Sequence, residues 1–291
     1  MIIKSICRLS SAIKKEIRTL EQLCAQADGV RYATSLDSVL NFHAEMKHTF
    51  LCYENHQLVA FLHVFAPTHS EAEISALTLP QCRTKGYFTA LLLRAIEELK
   101  AFQISDVLFV SQPSYPRNQV IKHFGAAYEF SEYIMSLERK KYMIQIPEQP
   151  MSLFIQRMGY MKQLIEVSVK SFHDSSEEAQ RLIEMALLSA NRQGYMAVFN
   201  DKIIGICFAR FEGAEAFLYG LGIHTDYQGK GFGGIFLKLV LNELFSGAAM
   251  KVKLEVESRN ASALHLYTKT GFASENTVDY YRATIKNLLG V

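Results

Sequence analysis

The chain has 291 residues, of which 49% are hydrophobic and 21% charged, and its formal net charge is +2. That is the composition of a globular protein long enough for two domains of roughly 100–200 residues each. The near balance of charge gives no electrostatic case for nucleic acid as the main partner.

Five cysteines (Cys7, Cys24, Cys52, Cys82, Cys207) are scattered, with no CxxC pair. Neither a disulfide framework nor a zinc site is indicated, so no metal is expected. The N-terminal stretch MIIKSICRLSSAIKKEIRTLEQL is interrupted by charges and lacks the apolar core of a signal peptide. No apolar run approaches the ~18–20 residues of a membrane span. The expectation is a reducing, cytoplasmic setting without a membrane partner.

In chain order, QLVAF (57–61) precedes RTKGYFTALLLRAIEEL (83–99), and KIIGI (202–206) precedes QGKGFGGIFLKLVLNEL (228–244). Val59-Ala60 and Ile204-Gly205 lie 145 positions apart, as do Arg83 and Gln228; Gly125 in HFGA and Gly271 in KTGFA lie 146 apart. A near-constant offset across three landmarks indicates a duplicated domain, since repeats this long are not solenoids. The boundary is expected in IPEQP (146–150), giving domains 1–147 and 148–291.

In the second half SLFIQRM (152–158) reads as a strand. SSEEAQRLIEMALLSANRQG (175–194) reads as a helix opened by a capping box at Ser175 and Glu178 and stopped at Gly194. YMAVFNDKIIGICFARF (195–211) reads as a hairpin turning at Asn200-Asp201. A strand AFLYGLGIH, a helix from the glycine-rich stretch, a strand KVKLEVES, a short helix NASALHLYTKTG and a final strand TVDYYRATI follow. Helices interleaved with a largely antiparallel sheet make an α+β, or mixed α/β, fold.

The stretch QGKGFGG (228–234) places four glycines directly before a helix. Glycine disfavours helix by about 1 kcal/mol relative to alanine, so bare backbone must serve a purpose there. Helix N-termini leave N–H groups unpaired and carry partial positive charge, and glycines let a phosphate come close. A P-loop needs GxxxxGK[ST]; here Gly231 follows Lys230 and no Ser or Thr is in place. Gly229, Gly231 and Gly234 match the dinucleotide fingerprint GxGxxG, with Glu255 21 residues beyond. Yet the polar spacer TDYQ (225–228) separates those glycines from the strand, and a hairpin stands where such a unit would begin.

LGIHTDYQGKGFG followed by LEVESRNASALHLYTKTGF resembles the GNAT superfamily of N-acyltransferases. The family signature Q/R-x-x-G-x-G/A is met by Gln228, Gly231 and Gly233. A second, N-x-x-A-x-x-L-Y-x-x-x-G-F, is met by Asn260, Ala263, Leu266, Tyr267, Gly271 and Phe272. The resemblance covers residues 150–285 well and the first half more loosely, and implies two tandem GNAT domains.

The resemblance implies that the backbone of Gln228, Gly229, Lys230, Gly231, Phe232 and Gly233 holds the pyrophosphate of acetyl-CoA. It implies that Leu221, Gly222 and Ile223 pair with the pantetheine arm, with Asn260 also at the cofactor, and that Tyr267 is the general acid at the thioester sulfur. Glu255 is the candidate general base, on a strand whose Val252, Leu254 and Val256 face one way while Lys253, Glu255 and Glu257 face the other. Its LEV triplet and 12-residue gap to Tyr267 resemble members that acetylate protein N-termini, whereas many members use an ordered water as base. Cys207, in the apolar run IIGICFA, reads as core; His224 and His265 read as surface residues.

In the first half Arg83 and Gly86 keep the frame, but Phe88 stands for Gly233, Phe109 for Glu255, Ser114 for Asn260 and Ile121 for Tyr267. The first domain is therefore expected to shape the acceptor site without catalysis. The expected function is transfer of an acetyl group to a primary amine of a small molecule or peptide. The alternatives are a non-catalytic acyl-CoA-binding regulator and a Rossmann-type oxidoreductase.

Overall fold

The computed structural model describes residues 1–32, 34–113, 118–144 and 150–288. The chain forms two compact units, Met1–Phe130 with Val278–Val291, and Ser131–Thr277. The elements in order are β1 (Ile2–Ile6), α1 (Ser11–Asp28), β2 (Thr49–Glu54), β3 (Gln57–Phe65), β4 (Glu71–Thr78), α2 (Tyr87–Ala101), β5 (Asp106–Ser111), α3 (Asn118–His123) and β6 (Ala127–Glu138). Then come β7 (Ser152–Ile155), α4 (Met161–Phe172), α5 (Ser176–Leu188), β8 (Arg192–Phe199), β9 (Lys202–Glu212), β10 (Glu215–Ile223), α6 (Phe232–Ser246), β11 (Lys251–Glu257), α7 (Ala261–Thr270), β12 (Ala273–Thr284) and α8 (Ile285–Leu288).

In the first unit the strands run β1-β2-β3-β4-β5-β12, antiparallel except for the parallel pair β4–β5. In the second they run β6-β11-β10-β9-β8-β7, antiparallel except for the parallel pair β10–β11. The mixed, mostly antiparallel sheet with flanking helices is the expected class. The repeat is visible in details: both hairpins β2–β3 and β8–β9 turn on two residues of positive φ, Asn55-His56 and Asn200-Asp201, the geometry of a type I′ turn that matches strand twist.

The units do not coincide with the two halves of the sequence. β6 pairs with β11 in the second unit, Glu138 opposite Lys251, while β12 pairs with β5 in the first, Thr284 opposite Asp106. These are equivalent positions of the repeat, so each unit takes that strand from the other half. Residues 146–149 of the expected boundary segment lie outside the described residues.

In the second unit α6 buries Phe236, Leu237, Val240 and Leu241 in one cluster with Val252, Leu254 and Val256 of β11. On the opposite face α4 and α5 bury Leu164, Val167, Ile183 and Ala186 with Met196, Ile206 and Phe208. Each fully buried aliphatic or aromatic side chain of this kind contributes roughly 1.5–3 kcal/mol. The capping box at Ser175 forms as expected, its hydroxyl accepting from the Glu178 amide at 3.2 Å.

Two readings of this half need correction or addition. Gly194 does not stop α5, which ends at Leu188; it lies within β8. Glycine is needed there because a Cβ would collide with the side-chain amide of Gln156, whose Nε2 donates to the Tyr195 carbonyl at 2.8 Å. The helix α4 has no strong cap, Tyr160 offering no side-chain bond, and its start is not marked in the sequence.

Candidate active site

β10 and β11 pair in parallel from Glu215 with Lys251 to Leu218 with Leu254 and then part, although β10 runs on to Ile223 and β11 to Glu257. On its other side β10 is irregular. Its register with β9 slips between Tyr219 and Gly222, leaving a bulge at Gly220 and Leu221. A bulge bends its strand and raises the local twist. Gly220 makes the bend at φ +57°, where a Cβ would stand 3.0 Å from the Phe208 ring. The parted strands enclose a cavity of about 50 Å³ lined by Leu218, Tyr219, Gly220, Leu221, Leu254, Glu255 and Tyr267. In the first unit β4 and β5 also part, after Ile74 with Phe109, although β3–β4 runs from Phe65 with Glu73 to Ala60 with Thr78 without a slip.

Beyond β10 the chain makes a 3₁₀ turn at Thr225–Tyr227 and enters α6 through the glycines. Gln228 braces this corner, its Nε2 donating to the Ile223 carbonyl at 2.8 Å. Gly229 and Gly231 sit at φ +73° and +84°, and Gly231 is the N-cap of α6. Among the described residues, the backbone N–H groups of Gly229, Lys230, Gly231, Phe232 and Gly233 have no protein acceptor; the first bonds of the helix come from Gly234 and Ile235 to the Gly231 carbonyl. A Cβ at Gly229 or Gly231 would meet nothing within 4 Å. Five donors without a protein acceptor at a helix N-terminus, with open space beside Gly229 and Gly231, fit a diphosphate.

The remaining predicted contacts divide by geometry. Leu221 lines the cavity, whereas Gly222 is buried under α4: a Cβ there would lie 2.5 Å from Phe172 Cζ and 2.7 Å from Ser171 Cβ. Ile223 is buried, with its carbonyl engaged by Gln228. Lys230 is exposed, but its Nζ donates to the Asp226 carbonyl at 2.8 Å and lies 5.7 Å from the centre of the Tyr227 ring. The Phe232 side chain enters the core against Phe199, ring centres 4.8 Å apart, so only its N–H is available at the turn. Gly233 lets α6 approach α7, with Leu266 Cδ2 3.9 Å from a Cβ position. Asn260 caps α7, its Oδ1 accepting from the Ala263 amide at 3.0 Å.

Glu255 and Tyr267 both reach the cavity, one from β11 and the other from α7. Glu255 is hemmed in by protein, yet its side chain stays open to solvent at the cleft. Desolvation, with the Glu132 carboxylate adding to it and Arg210 opposing, pushes its pKa up to about 7. Tyr267 is 9% exposed, edge-on to Phe272 with ring centres 5.9 Å apart, and burial raises its pKa to about 12. One group can therefore take a proton near neutral pH while the other keeps its own.

Cys207 is fully buried and its thiol is pushed far up by desolvation, which makes it core. His224 is half-buried, its Nδ1 accepting from the Asp226 amide at 3.2 Å, and His265 is exposed. Sequence reading missed Tyr219, Arg210, Glu132 and the α4 contact on Gly222. Tyr219 had a weak signal, lying on the strand directly before the glycine bend. Glu132 had none, because its strand is remote in sequence.

The first unit repeats the corner. Arg83 Nε donates to the Thr78 carbonyl at 3.0 Å, as Gln228 does to Ile223, and its Nη atoms grip Asp28 at 2.8 and 2.7 Å. Gly86 caps α2 at φ +81°. Phe88 packs on Phe124, ring centres 5.6 Å apart, and Phe109 and Ile121 belong to the apolar core. Ser114, the counterpart of Asn260, lies outside the described residues.

A model of the acetyltransferase (GNAT) family matches residues 161–272. An acetyltransferase of Yersinia pestis (strain Pestoides F) is 25% identical over 83 residues, 28% of this chain and 59% of that protein. The [ribosomal protein bS18]-alanine N-acetyltransferase of Escherichia coli K12 is 32% identical over 87 residues, 29% of this chain and 58% of that one. The chain thus spans under two thirds of the length of these relatives.

Over the whole chain the fold resembles a GCN5-related N-acetyltransferase from Sphaerobacter thermophilus, with TM-score 0.76, 15% identity, and coverage of 98% of this chain and 95% of that one. It also resembles a tandem GNAT protein from the clavulanic acid biosynthesis pathway, with TM-score 0.70, 15% identity and 98% of both chains covered. The second unit supplies the sequence match to the acetyltransferase (GNAT) family, over residues 161–272, and the likeness to solved structures shows that the same fold extends over the full length.

Proposed function

We propose that this protein is an N-acetyltransferase that transfers an acetyl group from acetyl-CoA to a primary amine of a small molecule or peptide, with its active site in the second unit. One observation carries the reading: the cavity between the parted β10 and β11 holds a carboxylate and a phenol, beside a helix N-terminus with five unpaired N–H groups. The N–H groups of Gly229, Lys230, Gly231, Phe232 and Gly233 would hold the pyrophosphate. Leu221 would border the acyl arm, while Gly222, Ile223 and Gln228 keep the strand end in shape; Asn260 acts by fixing the start of α7.

Bound acetyl-CoA supplies the acetyl thioester. Glu255 takes a proton from the attacking ammonium at a carboxylate oxygen, directly or through a water. With a pKa near 7 it is a useful base that is still partly ionised at neutral pH. Tyr267 holds its phenolic proton for the departing sulfur. The first unit, without counterparts to Glu255 and Tyr267, would act as scaffold or shape the acceptor cleft, in a cytoplasmic enzyme. The test is thiol release from acetyl-CoA across amines, amino acids, aminoglycosides and peptides with free N-termini. The Escherichia coli relative, named for acetylating an alanine of a ribosomal protein, makes the peptide arm worth including. No release above background with any acceptor would refute the reading.

A further inference from the structure

The glycine stretch 229–233 is anchored at both ends. On the far side Gly234 and Ile235 bond to the Gly231 carbonyl and start α6. On the near side the 3₁₀ turn Thr225–Tyr227 sets where the chain enters, and three side chains hold it. His224 Nδ1 accepts from the Asp226 amide at 3.2 Å, Gln228 Nε2 donates to the Ile223 carbonyl at 2.8 Å, and Lys230 Nζ donates to the Asp226 carbonyl at 2.8 Å. His224 is the N-cap of the turn, a place where Ser, Thr, Asp or Asn more often supplies the acceptor. An accepting Nδ1 is bare, so the ring proton sits on Nε2. The Asp226 carboxylate is 3.8 Å from the same nitrogen, beyond hydrogen-bond reach.

The first unit builds the same corner with other side chains. Its 3₁₀ turn is Pro80–Cys82, entered from Leu79. The backbone bonds correspond at the 145-residue offset. The Leu79 N–H donates to the Val59 carbonyl at 2.9 Å, and the His224 N–H to the Ile204 carbonyl at 2.8 Å. The Cys82 N–H donates to Leu79 as the Tyr227 N–H does to His224, both at 2.8 Å. Leu79 has φ −50° and ψ 138°, and His224 has φ −50° and ψ 136°. Yet Leu79 gives no side-chain bond; Pro80 follows it at the first helical position, where a locked φ pre-organises the turn. Thr225 has no such lock. In the second unit the His224 cap stands in for that proline.

We propose that His224 is a positioning residue for acetyl-CoA: its Nδ1, acting through the Asp226 amide, fixes the turn that aims the N–H groups of residues 229–233 at the pyrophosphate. The inference rests on the reading of that stretch as the pyrophosphate cradle.

The experiment compares the full-length wild type with His224→Leu, His224→Asn and the double variant His224→Leu, Thr225→Pro. Acetyl-CoA affinity is read by calorimetric titration, kcat and KM by thiol release, and folding by thermal denaturation. His224→Leu removes the cap. His224→Asn lacks the ring but keeps an acceptor in the place of Nδ1. The double variant copies Leu79-Pro80 onto a backbone that already has the same angles. In His224→Leu the Kd and KM for acetyl-CoA should rise about three- to tenfold, the effect of losing a cap. Its kcat should stay within about twofold, since the loss is one of binding. The other two variants should recover most of the lost affinity; recovery in either supports the proposal, because neither carries the ring. Native affinity in a folded His224→Leu overturns it. So does a weakening that persists in both other variants, which would assign the loss to the edge-on contact of the ring with Tyr227, centres 6.1 Å apart. If the wild type itself binds no acetyl-CoA, the cradle reading fails and the inference falls with it; if the wild type binds and His224→Leu binds equally well, the inference alone is refuted.

Discussion

Gly231→Glu tests the anion cradle most directly. Gly231 is at φ +84° and ψ −6°, a left-handed conformation that costs an L side chain about 1–2 kcal/mol. No packing cost adds to this, because a Cβ meets nothing within 4 Å. The fold should therefore survive, with a stability loss of about 1–2 kcal/mol that Gly231→Ala should share.

Binding should separate the two variants. A carboxylate about 5 Å from a phosphate charge is repelled by ~0.8 kcal/mol at the dielectric constant of water and ~3 kcal/mol at an effective value of 20. Two phosphates double that, so even the solvent-screened limit exceeds the ~1.4 kcal/mol of a tenfold change. Calorimetric titration of acetyl-CoA, with thermal denaturation as the control for folding, should show Gly231→Glu weakened at least about tenfold relative to Gly231→Ala. Equal affinity in two folded variants would show that no phosphate lies at the N-terminus of α6.

Tyr267→Phe keeps the packing against Phe272 and removes the proton donor. kcat should fall by about 10²-fold, the low end for general acid catalysis because a thiolate leaves readily, with acetyl-CoA affinity unchanged; full activity would return Tyr267 to a packing role. Gly222→Ala forces a Cβ into Phe172 and Ser171 and should cost about 1–3 kcal/mol in chemical denaturation by overpacking; an unchanged midpoint would mean that α4 sits less closely on β10. Calorimetry on the intact chain should find one tight acetyl-CoA site, and Gly86→Glu should leave turnover largely intact. Two equivalent sites would overturn the reading of the first unit as scaffold.

Much of this protein is set by local chemistry and so could be read from the residues alone. Asn200-Asp201 accepts positive φ and closes a hairpin, Ser175 and Glu178 cap a helix, and Gly229 and Gly231 adopt left-handed conformations that bare the N-terminus of α6. The 145-residue offset follows from the same local signals occurring twice. Alternation along KVKLEVE separates the buried valines and leucine from Glu255 for a like reason: the two faces of a strand meet different solvents.

Strand pairing is decided by contacts distant in the sequence. β6 and β12 occupy equivalent places in the repeat and pair in equivalent registers with β11 and β5. Nothing in either strand's own pattern says which of two like partners it will join, so the exchange is fixed only when the sheets assemble. It places Glu132 beside Glu255, and a cut at residue 147 would take β6 from the second unit. Gly194 makes the same point: it reads as a helix stop, and the Gln156 side chain packed over β8 gives it a different task. The bulge at Gly220 and Leu221 likewise depends on β9 and the Phe208 ring. The sequence determined the cradle and the residues facing the cleft; tertiary pairing decided which charges surround them, because electrostatic neighbours are set by distance in space.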